Sequence, residues 1–193
     1  MRLRLPHSPP RRISARMRAT VALFALVLAI PAAAQPRKPA GKSHPEAAST
    51  VAKKLGNFED WVAATHQENG QTVCYAFTYA KHSAPTVPSR DPVILTVTER
   101  PGGRDAVAIS AGFDFGKGAA VTMQVETTGL DFYTAQRNAF ARDGKAAVVA
   151  FGKAAQALSR SPGPRDGQVV VDTFSLRGFS AAYAAINKAC PTR

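Results

Sequence analysis

The sequence is poor in the residues that usually carry chemistry. Its 193 residues hold two cysteines, one tryptophan and four histidines, and only His66 and His82 lie beyond residue 49. No His-Glu-x-x-His run and no Gly-x-Ser-x-Gly elbow is present, so Ser175 and Ser180 lack a nucleophile's frame. Gly112, Gly116 and Gly118 are not followed by Gly-Lys-Ser/Thr, which excludes a phosphate loop. Two isolated cysteines fall short of the four ligands of a structural zinc site. The longest apolar run, Ala19 to Ile30 with only Thr20 interrupting it at its start, is too short to cross about 30 Å of hydrocarbon. Acidic residues are scarce, 13 against 25 basic ones, for a net charge of +12.

That charge is unevenly placed. Residues 1–18 carry six arginines and no acid, the apolar run follows, and Ala32-Ala33-Ala34 closes the segment. A basic start, an apolar stretch of about 7–15 residues and small residues before the cut are the parts of a secretory signal peptide. Cleavage is expected between Ala34 and Gln35, with Met17 as an alternative start. Arg11-Arg12 suggests twin-arginine export, but Ser14 and Ala15 stand where that signal carries bulky apolar residues. Loss of residues 1–34 leaves a net charge of +6. Residues 35–49 contain Pro36, Pro39, Pro45, Arg37, Lys38 and Lys42 with one acid, Glu46, the composition of a flexible basic linker. The remaining domain, residues 50–193, has 16 basic and 12 acidic residues and no cluster denser than Lys53-Lys54. Nucleic acid is therefore not expected as a partner. Weak contact of the tail with an anionic surface is the most its charge supports. No transmembrane span is expected after processing.

The domain reads as mainly β. Residues 73–79 alternate, with Val73, Tyr75 and Phe77 on one face and Cys74, Ala76 and Thr78 on the other. Asn69-Gly70 just before them is a type I′ hairpin signal. A two-residue turn there sets Gln67 opposite Thr72, Thr65 opposite Cys74 and Trp61 opposite Thr78, so Trp61 and Cys74 share a face. Tyr75, Phe77 and Tyr79 are expected on a core face, and Trp61 in the core. Further strands are expected over 93–98, 106–111, 121–127 and 168–174, separated by turns at Pro101-Gly102-Gly103 and Gly116-Lys117-Gly118. Residues 145–157 are Ala-rich but broken by Gly152, so one or two helical turns are expected; residues 159–167 read as an exposed loop. Phe179, Tyr183, Ile186 and Cys190 form one helical stripe over 179–189, closed by Pro191. The fold class is thus a single antiparallel β-sandwich or barrel with a C-terminal α-helix and a short second helix.

In an exported chain, two cysteines allow one intramolecular bond, Cys74–Cys190, closing 116 residue steps. Two buried free thiols are the alternative.

Phe58-Glu59-Asp60-Trp61, the Cys74-Tyr75 strand and the run from Asp172 to Ala182, with its Ser175-Leu176-Arg177-Gly178-Phe179 centre, resemble the invasion-associated locus B family across about residues 57–191. The resemblance implies a small exported protein, periplasmic, outer-surface or secreted, with a β-rich fold, no known catalytic activity and, in some members, a link to host-cell invasion. Many members carry a second cysteine pair in mid-domain; the matching stretch 131–141 has none.

No catalytic, cofactor-binding or metal-binding residue is assigned. His66, beside the hairpin turn, and His82 read as solvated loop residues. Asp60, Asp91, Asp114, Asp131 and Asp172 read as turn and edge residues unless the fold pairs two of them. Three functions remain: an exported non-catalytic binding or interaction protein, a structural envelope-associated domain, and a hydrolase with dispersed residues. The first is favoured. The mature protein is expected to begin at Gln35; an intact mass that retains Met1 or Met17 would contradict this.

Overall fold

The computed structural model describes residues 51–192, so the expected signal peptide, its Ala34–Gln35 cleavage site and the whole basic linker lie outside the described residues. Ten strands and two helices follow in chain order: β1 Lys53–Phe58, β2 Trp61–Glu68, β3 Gln71–Ala84, β4 Ile94–Arg100, β5 Gly103–Ser110, β6 Val121–Val125, β7 Thr128–Ala135, β8 Asn138–Ala141, α1 Gly144–Phe151, β9 Gln156–Pro162, β10 Val169–Ser175 and α2 Phe179–Ala189. All pairings are antiparallel. The ring β3–β10–β9–β6–β7–β8–β5–β4 closes on itself through β3–β4, giving an eight-stranded barrel with the β1–β2 hairpin added to one side. Closure depends on the length of β3. Its first half pairs with β2, and Ala80 to Ala84 then pair with β10 along the same edge.

The interior of an eight-stranded barrel is just wide enough for side chains to fill. Leu95, Val97, Val107, Ile109, Val121, Met123 and Phe132 are buried in a single apolar cluster. α2 packs against β1, β2 and β3, and α1 against β5. Trp61 is fully buried, and its ring meets that of Phe179 at 5.0 Å, edge to face. Phe179 also meets Phe151 of α1 at 5.4 Å and Tyr183 at 5.6 Å.

Several sequence expectations are met. Asn69 and Gly70 adopt positive φ, and Gln67 and Thr65 stand opposite Thr72 and Cys74. α2 spans 179–189, with Cys190 as its C-cap and Pro191 next. Others are corrected. Residues 156–162, expected within the Ala-rich segment and an exposed loop, form β9, and Ala157, Ser159 and Ser161 point inward. The helix before it stops at Phe151, where Gly152 caps it. Tyr75, Phe77 and Tyr79 are not on the core face: Tyr79 is 52% exposed, whereas Cys74, Ala76 and Thr78 are buried. The alternation marks a strand, but its larger side chains face outward. Small Ala76 and Thr78 lie on the inner side, where Trp61 is also fully buried.

Asp172 is also corrected. It lies inside β10, buried rather than at a turn, and accepts two bonds from Arg90, at 2.8 and 2.9 Å, and one from Ser83 at 2.7 Å. Arg90 bonds the Ala111 carbonyl and lies 4.8 Å over the Phe113 ring. Its side chain is 6% exposed and that of Asp172 2%. This pair pins the β3–β4 connection to the barrel wall. Removing one partner strands a buried charge. Arg90→Met or Asp172→Leu alone should therefore each cost about 3–5 kcal/mol, and the two together far less. Urea unfolding midpoints of the three variants test this.

Candidate functional site

Two regions combine shape with chemistry. The first is the outer face of β2, β3 and β4. Tyr75, Phe77 and Tyr79 run along β3, with ring centroids 6.1 and 5.8 Å apart, and His66 meets the Tyr75 ring edge-on at 5.2 Å. Small or short neighbours flank the column: Ala64 and Val62 on one side, Thr98, Thr96 and Ile94 on the other. The rings stand above these neighbours and line a shallow groove of about 480 Å³, with Ala52 and Arg100 at its margin. At that end Arg100 grips Glu68 with two bonds, at 2.9 and 3.0 Å, and His66 bonds it at 2.8 Å. The hydrogen bond from Arg100, then that from His66, pulls the Glu68 carboxyl down to about 2. His66 is thus a strand residue and not a loop residue. His82 also sits in a strand, exposed near the end of β3.

The second region lies where α2 ends. Cys74 and Cys190 are bonded, with Cα atoms 6.0 Å apart, inside the range of about 4.4–6.8 Å that the bond requires. Cys74 is fully buried, and Cys190 is partly exposed in the wall of a cavity of about 520 Å³. Directly across from Cys74 stands Glu99 of β4, with no exposed side-chain surface. Its Oε2 accepts Arg104 Nε at 2.7 Å and the Asp105 amide at 3.2 Å, while its Oε1 has no partner among the described residues. Burial pushes the Glu99 carboxyl up to about 7. Arg104 also donates to the Cys190 carbonyl at 2.6 Å and to Asn187 of α2. Tyr183 donates to Asp105, and burial pushes its phenol up to about 12.

The sequence reading stopped the strand at Thr98 and so missed Glu99. Extending its alternation of Leu95 and Val97 by one step finds the acid on the inward face. The other candidate carboxylates do not converge. Asp60 takes Lys81 and Ser175, and these bonds, Lys81 first, lower its pKa; Asp91 takes Arg137; Asp114 and Asp131 stand apart. Ser175 is spent on Asp60, and Ser180 is exposed on α2. No group of three His, Cys, Asp or Glu side chains able to hold a metal occurs among the described residues.

The signature residues meet in space. Trp61 Nε1 donates to the Ser175 carbonyl at 3.0 Å, Ser175 Oγ to Asp60 at 2.7 Å, and Arg177 bonds Glu59 at 3.0 Å. Gly178 has φ +83°, and a Cβ there would stand 2.0 Å from the Phe58 carbonyl oxygen. The two motifs, far apart in sequence, meet at the root of α2.

A closed antiparallel barrel with a C-terminal helix tied by a disulfide defines the class: a small β-barrel domain. Residues 61–187 match the profile of the invasion-associated locus B (IalB) proteins, and the chain belongs to that family. The fold is similar to the crystal structure of invasion-associated protein B from Bartonella henselae, with a TM-score of 0.50 and 14% identity over 72% of this chain and 96% of that one. No curated protein matches the chain significantly.

Glu99 supplies a pH test. An unfolded Glu ionises near 4.5, the folded one near 7, so the native state holds the extra proton between them. Stability from this group is complete below about 4.5 and is lost as pH rises through about 7, a drop on the order of 3 kcal/mol. Urea midpoints taken from about pH 4 to 8 should fall over this window in the wild type, and Glu99→Gln should remove that slope.

Proposed function

We propose that the chain is an exported, non-catalytic interaction protein of the bacterial envelope, and that it binds its partner through the aromatic face of β3. The carrying observation is the exposure of Tyr79 at 52% within a column of three aromatic rings, on the side of the barrel away from the core. A strand gains no stability from leaving such rings wet, since half-exposed tyrosine and phenylalanine give up part of the burial that stabilises a fold. Apolar patches of this kind, rimmed by polar groups, mark interaction sites. Tyrosine is also among the residue types, with tryptophan and arginine, enriched at the hot spots of interfaces. The rim here is Glu68, Arg100 and the threonines of β4.

The signal architecture of residues 1–34 supports a periplasmic, outer-surface or secreted location. Arg37, Lys38 and Lys42 would add a weak, salt-sensitive contact with anionic surfaces. A host-facing role rests on the family's name, and the aromatic face is the surface that would serve it. The disulfide gives the scaffold its rigidity: closing a loop of this length contributes about 2–5 kcal/mol.

The test is crosslinking with affinity capture from the source envelope, comparing wild type with Tyr75→Ala, Tyr79→Ala and, as control, Val149→Ala on the exposed face of α1. The two tyrosine variants should lose about tenfold or more in partner recovery while unfolding as the wild type does. Equal recovery by all four proteins would remove the aromatic face from the account.

A further inference from the structure

The two sulfurs of the disulfide face different surroundings. Cys190 caps α2 and lines the cavity of about 520 Å³, beside Thr72, Arg100 and Arg104. Cys74 is sealed in β3, and its direct cross-strand partner is Glu99. Side chains so paired have Cβ atoms about 4.5–5.5 Å apart. An incoming thiolate therefore has access to Cys190 and not to Cys74. The departing sulfur is then Cys74, which would have to carry a negative charge in a buried place. Such a charge is costly unless it is neutralised at once. Beside it stands a carboxyl whose Oε1 has no partner among the described residues and whose other oxygen is held by Arg104 and the Asp105 amide.

We infer that Cys74–Cys190 is an exchangeable disulfide, opened at Cys190 by the thiolate of a dithiol protein, with Glu99 as proton donor to the departing Cys74 sulfur. The attacking thiolate bonds to Cys190 Sγ as the Cys74–Cys190 bond breaks. The bonding electron pair leaves on Cys74 Sγ, which takes the Glu99 proton. Glu99 regains a proton from solvent. The partner's second thiol, having lost its proton to solvent, attacks the partner sulfur of the mixed disulfide and expels Cys190 as a thiolate, which is protonated by water. The dithiol is oxidised to a disulfide, and the cysteine pair is reduced by two electrons. Arg104 at the cavity wall, whose partner Glu99 carries no charge in its acid form, favours the approach of an anionic sulfur, while the charge of Arg100 is held by Glu68.

The groups around Glu99 set the pH response. They are Arg104 and Asp105 from β5, Tyr183 from α2 through Asp105, and Cys74 from β3. Only the acid form of Glu99 can donate, and that form predominates below about pH 7. A merely structural disulfide would be reduced at a rate that follows the reagent's thiolate concentration alone.

The experiment uses dithiothreitol on the oxidised protein. Reduction rates are divided by thiolate concentration at each pH between about 5.5 and 9. The wild type should be level below about pH 7 and fall towards tenfold per unit above it, and Glu99→Gln should be flat and about tenfold slower at pH 6. With glutathione, a single thiol, mass spectrometry of the trapped mixed disulfide should find the adduct on the peptide of Cys190. A flat wild-type profile, or an adduct on Cys74, overturns the inference. The wild-type profile and the adduct position decide the matter even if the Glu99 variant fails to fold.

Discussion

The fold depends on one packing event, the seating of the Phe179 ring between Trp61, Phe151 and Tyr183. That ring touches the first hairpin, the short helix and its own helix at once. It can reach this place only because the residue before it has no side chain, since any Cβ at Gly178 would collide with the Phe58 carbonyl. Around this contact the polar groups are satisfied in pairs: the indole N–H by the Ser175 carbonyl, and Asp60 by Ser175 and Lys81. A buried indole N–H without such a partner would cost about 1–3 kcal/mol. The residues that carry the resemblance thus have a mechanical reason. They join the two ends of the domain.

Local signals in the sequence carried the hairpin, its register and the last helix. Asn69-Gly70 dictates a turn by backbone sterics alone, and a helix with Phe179, Tyr183 and Ile186 on one stripe has one way to lie down. The signals failed where a decision needed the tertiary partner. An aromatic column can face inward or outward with the same period of two, and here the small side chains Ala76 and Thr78 take the inner side together with Trp61, leaving Tyr75 and Phe77 outside. β9 went unseen because its inward residues are Ala157, Ser159 and Ser161, small and partly polar, in place of the branched residues that mark a strand. Arg90 and Asp172 form the same kind of case, two charges that look like surface residues until the ring closes over them.

The two chemically interesting regions lie on opposite sides of the same strands. Side chains of β3 and β4 alternate between the aromatic face outside and the Cys74–Glu99 pair inside. Successive side chains of a strand point to opposite faces, which keeps the two regions apart except at Arg100, a residue that borders both. The family frame is accordingly compatible with a mid-domain stretch, residues 131–141, that holds no cysteine: β7 and β8 are already closed into the ring by their ladders.

The addition of the first hairpin to a closed ring also leaves β1 as the single strand with an unpaired edge among the described residues. Such an edge is a template on which a second chain can add and propagate. Here it opens with Lys53 and Lys54, and its ladder slips out of register before Gly56. An approaching strand would meet two like charges and a broken hydrogen-bond rhythm, so edge-to-edge stacking into fibres is discouraged at the one place where it could begin.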